Sequence, residues 1–189
     1  MDNRNLENIE KLVEEKYGRE SGTDGAIARK FYREHVLPVT ELADKLALKY
    51  GADRQIVRLG ALLHDIALAE GKEPHDEVGA QMAYEMLVVN WTDRETAEKV
   101  RDIVAAHRCK VRVPESLEAK VVATADAIAH FYPEFYRSSA KLSREDWAQM
   151  MSAKIDVLES EYERKVFFED EKKMLKERLN KFGAYMYAS

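Results

Sequence analysis

Apolar residues return at three- and four-residue steps along most of the chain, the repeat of a helix with one buried face; no strand-like alternation stands out. Leu6, Ile9, Val13 and Tyr17 predict a first amphipathic helix that stops near Gly18. A loop at residues 21–25 precedes a second helix from about Asp24, with Ile27, Phe31 and His35 at four-residue steps. Pro38 should kink or break it, because proline lacks the N–H and clashes with the preceding turn. The pattern resumes through Leu42, Leu46 and Tyr50 and ends at Gly51. Asp53 is a good N-cap for the next helix, which should carry ALLHDIALA and end before Gly71.

Pro74 fits the first position of the following helix, with His75 in its first turn. Thr92 and Glu95 form a capping box for a helix reaching about Arg108. Pro114 opens another, running to about Phe131. Beyond Pro133, Trp147, Met151, Ile155, Leu158, Tyr162 and Val166 again step by three or four. Intramolecular packing explains that stripe most simply, and a homodimer surface is the alternative. The expectation is one all-α, compact multi-helix domain: a core over 24–132, an N-terminal helix within 1–20, and a C-terminal helical extension over 133–189 packing on the core.

Composition narrows the function. With 189 residues, 46% of them hydrophobic, the chain can bury a substantial core. A net charge of −5 argues against a broad nucleic-acid surface. The single cysteine, Cys109, excludes an internal disulfide framework and suits a reducing compartment. The N-terminal stretch is charged throughout, without an apolar signal core. No apolar run approaches the roughly 20 residues that span a bilayer. A cytoplasmic protein without membrane partners is expected.

Polar residues that interrupt the apolar stripes carry the candidate chemistry. His35 continues the Ile27–Phe31 stripe, His64 follows Gly60 and Ala61, and His75 leads Val78, Gly79, Met82 and Met86. His107 continues Val100, Ile103 and Val104, and Asp126 continues Ala119 and Val122. A lone histidine on such a face is ordinarily a hydrogen-bonded core residue. A buried carboxylate is harder to explain, because it needs a cation or a metal. The nearest basic residues are Arg58 and Lys72 for Asp65 and Lys120 for Asp126, none of them adjacent. Four inward histidines with Asp65 and Asp126 form a ligand set for one or two divalent cations. Imidazole with carboxylate suits Mn, Fe, Co, Ni or Zn, with Mg also admissible. A carboxylate has two oxygens, so Asp65 is the candidate bridge between two ions.

The set His35, His64-Asp65 and Asp126, in the contexts REHVLPV, ALLHDIAL and VVATADAI, resembles the H…HD…D signature of the HD-domain superfamily of metal-dependent phosphohydrolases. The likeness covers about residues 24–132 and implies an HD-type fold. His75 in HDEVGAQMA and His107 in IVAAHRC resemble the two further histidines of two-metal members. The resemblance implies that His35, His64, Asp65 and Asp126 hold one metal, and Asp65, His75 and His107 a second. It implies a hydrolase acting on a nucleotide or other small phosphate ester. His64 and Asp65 would act catalytically through a metal-activated water. Arg108, Lys110 and Lys120 are candidate phosphate contacts.

Two departures stand out. Leu68 occupies the position, three after the HD aspartate, where nucleotidase-like relatives carry an acid; the nearest acid is Glu70. RCKVRVPES stands where the GYP subclass has its motif. A mixed-valent di-iron oxygenase uses a similar ligand set and is the alternative enzyme class. A non-catalytic metal- or nucleotide-binding module is the further alternative. His130, four after Asp126, is left outside the ligand set as a half-exposed helix-end residue. Phe131, Tyr132, Phe135 and Tyr136 form an aromatic cluster assigned to packing.

Overall fold

The computed structural model describes the backbone of residues 3–18, 23–90, 93–132 and 144–187, and every regular element among them is helical. Helix α1 (Asn3–Gly18) buries Ile9, Val13 and Tyr17, the stripe set by its four-residue repeat. Helix α2 (Thr23–Phe31) runs through a π-helical turn, Tyr32–Val36, into α3 (Leu37–Tyr50). The expected break at Pro38 is corrected here. Val36 and Leu37 keep helical dihedrals, and Pro38 falls in the first turn of α3. The N–H of Leu37 bonds to Tyr32 O, five residues back. This wider turn precedes the proline, so the missing N–H falls where the register has already changed. Ile27, placed on the same stripe as His35, is 61% exposed, whereas His35 is buried. Gly51 closes α3 with φ 75°, a left-handed conformation that glycine adopts without a Cβ clash.

Helix α4 (Arg54–Leu63) starts as expected: the Asp53 carboxylate accepts the N–H groups of Gln55 and Ile56 at 2.9 and 3.2 Å. It does not run to Gly71. Regular α structure stops at Leu63, Asp65 has φ −111° and ψ 20°, and a 3₁₀ turn covers Ile66–Glu70. Helix α5 (His75–Val89) has Pro74 as its N-cap, one place before the position expected. Helix α6 (Arg94–Ala106) is capped by Asp93, which accepts the Thr96 N–H at 2.9 Å. Asp93 thus takes the capping place assigned to Thr92, which lies outside the described residues. Helix α7 (Leu117–His130) begins three residues after Pro114, where Ser116 accepts the Ala119 N–H at 3.1 Å.

Helix α7 is the central rod, buried over most of its length and packed by α3, α4, α6 and a C-terminal helix, α8 (Arg144–Lys165). A last helix, α9 (Glu169–Tyr187), packs on α8. Leu158, Val166 and Leu175 reach the core. The side chains of Trp147, Met151, Phe135 and Tyr136 lie outside the described residues. Phe131 is fully buried, while Tyr132 is part-exposed with the Arg178 guanidinium 4.3 Å from its ring centre. No helix among the described residues is long and apolar enough to cross a membrane.

Helices α4 and α6 approach closely because residue 60 has no side chain. A Cβ there would meet Ile103 Cγ2 at 2.7 Å and its Cβ at 3.3 Å, on a β-branched side chain with little rotamer freedom. Alanine would gain about 1 kcal/mol of helix propensity, against about 1–3 kcal/mol of overpacking. Gly60→Ala is expected to lower stability in urea unfolding. Adding Ile103→Ala should give less than the sum of the two single effects, because the two sites share one contact.

Candidate metal centre

The polar residues that interrupted the apolar stripes meet at one place, most of them delivered by helix ends. His35 lies in the π-helical turn, and His64 and Asp65 lie where α4 ends. His75 is the first residue of α5, His107 follows the last turn of α6, and Asp126 lies inside α7. The break after Leu63 matters for this convergence. An unbroken helix would turn His64 and Asp65 about 100° apart. The altered dihedrals at Asp65 instead bring its carboxylate to 3.1 Å from His64 Nε2. Helix α1 supports the break, since Tyr17 donates its hydroxyl to Asp65 O at 2.9 Å.

His64 and His107 are oriented by their own helices. Each Nδ1 lies 2.6 Å from the carbonyl oxygen three residues back, Ala61 O and Val104 O. A carbonyl can only accept, so Nδ1 carries a proton, and each ring turns its Nε2 inward. The Asp65 carboxylate divides between two pairs of rings. Oδ2 lies 3.4 Å from His35 Nε2 and 3.1 Å from His64 Nε2. Oδ1 lies 3.4 Å from both His75 Nε2 and His107 Nε2. Asp126 Oδ1 lies 3.3 Å from His35 Nε2 and 3.8 Å from His64 Nε2.

A divalent cation fits this arrangement. Asp65 Oδ1 and Asp126 Oδ1 are buried, yet neither accepts a hydrogen bond among the described residues. His64 Nε2 lies 3.2 Å from His35 Nε2, so both nitrogens are within reach of a common ion. His35, His64 and Asp65 can converge on one ion, and Asp65, His75 and His107 on another.

The electrostatics follow from burial and neighbours. Burial alone would raise the Asp65 pKa; the rings of His64, His107 and His35 outweigh it and hold it well below the carboxylate range. Burial alone would lower His35, but Asp126 and Asp65 raise it to about 9. Burial dominates at His107 and lowers it. Asp126, despite burial, is held well below the carboxylate range by Lys165 first and His130 second.

Lys165 is the residue that sequence reasoning missed, and His130 is one it left outside the ligand set. Lys165 is buried, bonds to Asp126 Oδ2 and lies 3.6 Å from Glu161 Oε1. No cation near Asp126 in sequence predicted this, because Lys165 arrives from α8, 39 residues on. A signal was present: Glu161 and Lys165 fall on the same stripe as Leu158, Tyr162 and Val166. His130 is corrected into the cluster. Its Nε2 lies 3.6 Å from Asp126 Oδ1, and its ring stacks on His35 at 5.1 Å with 2° between planes.

The candidate phosphate contacts separate. Arg108 lies at the His75–His107 end, donating to buried Asp76 Oδ1 at 3.1 Å, with Glu73 Oε2 at 3.7 Å. Lys110 is exposed in the loop after α6, and Lys120 is half-buried on α7. No ion pair joins either lysine to the cluster among the described residues. Glu70 is held by Lys16 and Lys72, which lower its pKa to about 2. Burial pushes the Cys109 thiol up to about 11, which leaves it a poor nucleophile.

The family model for the HD domain matches residues 32–130. The chain belongs to the HD-domain family. All six residues of the expected ligand set fall inside the match. The chain is 29% identical over 134 residues to ribonuclease Y of Thermoanaerobacter pseudethanolicus, a match covering 68% of this chain and 25% of that protein. It thus spans about a quarter of that relative's length. Its fold is that of a predicted HD superfamily hydrolase from an uncultured Thermotogales bacterium, with TM-score 0.62 and 22% identity over 97% of this chain and 90% of the other. The all-α HD-type fold is therefore this protein's fold.

Metal-free protein should show His35 in its pH dependence. Its folded pKa of about 9 lies above the unfolded value of 6.5. Its stabilisation is fully present below pH 6.5 and is lost as pH rises through 9. In chelator-treated protein, the difference in unfolding free energy between wild type and His35→Gln should shrink between pH 6.5 and 9. A difference that stays constant across that window contradicts this placement of His35.

Proposed function

We propose that this HD-domain protein is a metal-dependent phosphohydrolase that acts on a nucleotide or another small phosphate ester. The observation that carries the proposal is the division of Asp65, with Oδ2 toward His35 and His64 and Oδ1 toward His75 and His107. A carboxylate so divided suits two cations. His35, His64, Asp65 and Asp126 would hold one, and Asp65, His75 and His107 the other. Bound divalent cations supply Lewis acidity toward phosphoryl oxygens and lower the pKa of a coordinated water from 15.7 to about 7.

The chain's own residues do the rest. The backbone carbonyls of Ala61 and Val104 keep His64 and His107 in the tautomer that presents Nε2. Lys165 holds Asp126 ionised and turns one oxygen inward. Arg108 offers a guanidinium beside the His75–His107 end, where a phosphate oxygen would meet it. Asp76 and Glu73 keep that side chain in place. A relative named as a ribonuclease supports a phosphoester as the substrate class. Glu70, already paired with Lys16 and Lys72, is not the general acid in this reading. Transition metals that accept mixed nitrogen and oxygen donors, Mn, Fe, Co, Ni or Zn, are the expected ions, with Mg also admissible.

The test is metal analysis of the purified protein, followed by a panel of phosphomonoesters, phosphodiesters and nucleotides with Mn, Co, Ni, Fe or Mg added back. Hydrolysis that depends on added metal and falls to background in Asp65→Ala is expected. Asp65→Ala protein with undiminished hydrolysis and unchanged metal content would sink the proposal. Iron-dependent consumption of O₂ with no phosphoester turnover would replace it with an oxygenase.

A further inference from the structure

We infer that His130 is an additional imidazole ligand at the His35–Asp126 end of the centre, and that Glu161 of α8 is the residue that aims it. The inference rests on the proposed function's reading that this end holds a divalent cation.

Four rings around the centre share one construction. His64 and His107 each place Nδ1 2.6 Å from a backbone carbonyl, and His75 places Nδ1 3.0 Å from Glu73 Oε1. His130 places Nδ1 2.8 Å from Glu161 Oε2. In each, an oxygen takes the Nδ1–H and Nε2 faces a carboxylate oxygen of the cluster. Histidines that bind metals are oriented this way by a carbonyl or carboxylate behind them. His64, His75 and His107 were expected to be ligands from sequence; His130 has the same construction without that expectation.

The oxygen in front of His130 is the informative one. Asp126 Oδ1 is buried and accepts no hydrogen bond among the described residues. His130 Nε2 stands 3.6 Å from it, too far for a hydrogen bond. An ion between them accounts for both the gap and the orphaned oxygen. His35, Asp126 and His130 can each turn one donor atom to a common point, with the three atoms within 4.8 Å of one another. Lys165 occupies the other oxygen of Asp126, so Oδ1 is the one left for an ion. Glu161 and Lys165 are one helical turn apart, and α8 therefore fixes His130 and Asp126 together.

A fifth protein donor has a chemical consequence. With His35, His64, Asp65 and Asp126, it gives three nitrogens and two oxygens at this end. That set favours Mn, Fe or Co, which accept more than four ligands, over tetrahedral Zn.

The test uses the full chain loaded with Co²⁺. Proton NMR reads hyperfine-shifted, exchangeable imidazole N–H signals, and calorimetry reads affinity. His130→Ala should lose one shifted imidazole signal while circular dichroism keeps the wild-type helix content. Glu161→Ala should keep the signal at a changed position and bind Co²⁺ about 10- to 100-fold more weakly. Glu161→Gln, which still offers an oxygen to Nδ1–H, should recover most of that affinity. A full set of shifted signals and unchanged affinity in His130→Ala overturns the inference and leaves the proposed function standing. Should His130→Ala fail to fold, the Glu161 pair decides, and wild-type affinity in Glu161→Ala overturns the inference. Wild-type protein that binds no Co²⁺ removes this inference and the reading beneath it together.

Discussion

Two carboxylates enclosed among apolar helices need compensation worth several kcal/mol each, and most of the architecture around Asp65 and Asp126 serves that need. The means differ. Asp126 is met on one oxygen by a buried ammonium group, Lys165, delivered by α8. Asp65 has no such partner, and four imidazoles surround it instead. The first arrangement is a conventional internal ion pair. The second gathers His35, whose pKa the two carboxylates raise to about 9, and three further rings whose Nε2 atoms face one carboxylate, a donor set suited to cations.

Helix ends place His64, Asp65, His75 and His107, while Asp126 comes from the face of α7. His64 and His107 follow the last turns of α4 and α6, and His75 opens α5. A residue just past a helix end can bond its own ring nitrogen to a carbonyl that the helix leaves unsatisfied. The carbonyl gains a donor and the ring gains an orientation from one contact. The π-helical turn carrying His35 departs from the regular α-helix within an otherwise helical chain. Such turns often accompany functional positions.

Much of this was legible in the chain. The Ile9–Val13–Tyr17 repeat gave α1 directly, and Asp53 and Gly51 marked real helix ends. The six polar residues were visible because each interrupts an apolar stripe. What escaped notice has physical reasons. Periodicity averages over several residues, so it could not register the change of dihedral at Asp65 or the π turn before Pro38. Asp93 and Thr92 can both cap a helix, and spacing alone favoured the wrong one. Glu161 and Lys165 reach the centre across more than thirty residues of chain, and local inspection around Asp126 had no access to them. Their position on an apolar stripe was the clue, of the same kind that singled out the histidines.

The buried oxygens that accept no hydrogen bond carry a consequence for the life of the protein as well as its chemistry. An ion that binds the folded centre and not the unfolded chain shifts the folding equilibrium by mass action. At a free-ion concentration 100 times the dissociation constant, the gain is about 2.7 kcal/mol. A domain of ordinary marginal stability would feel a change of that size. Scarcity of the preferred metal would then lower the amount of folded protein as well as its activity, making abundance itself a readout of metal supply.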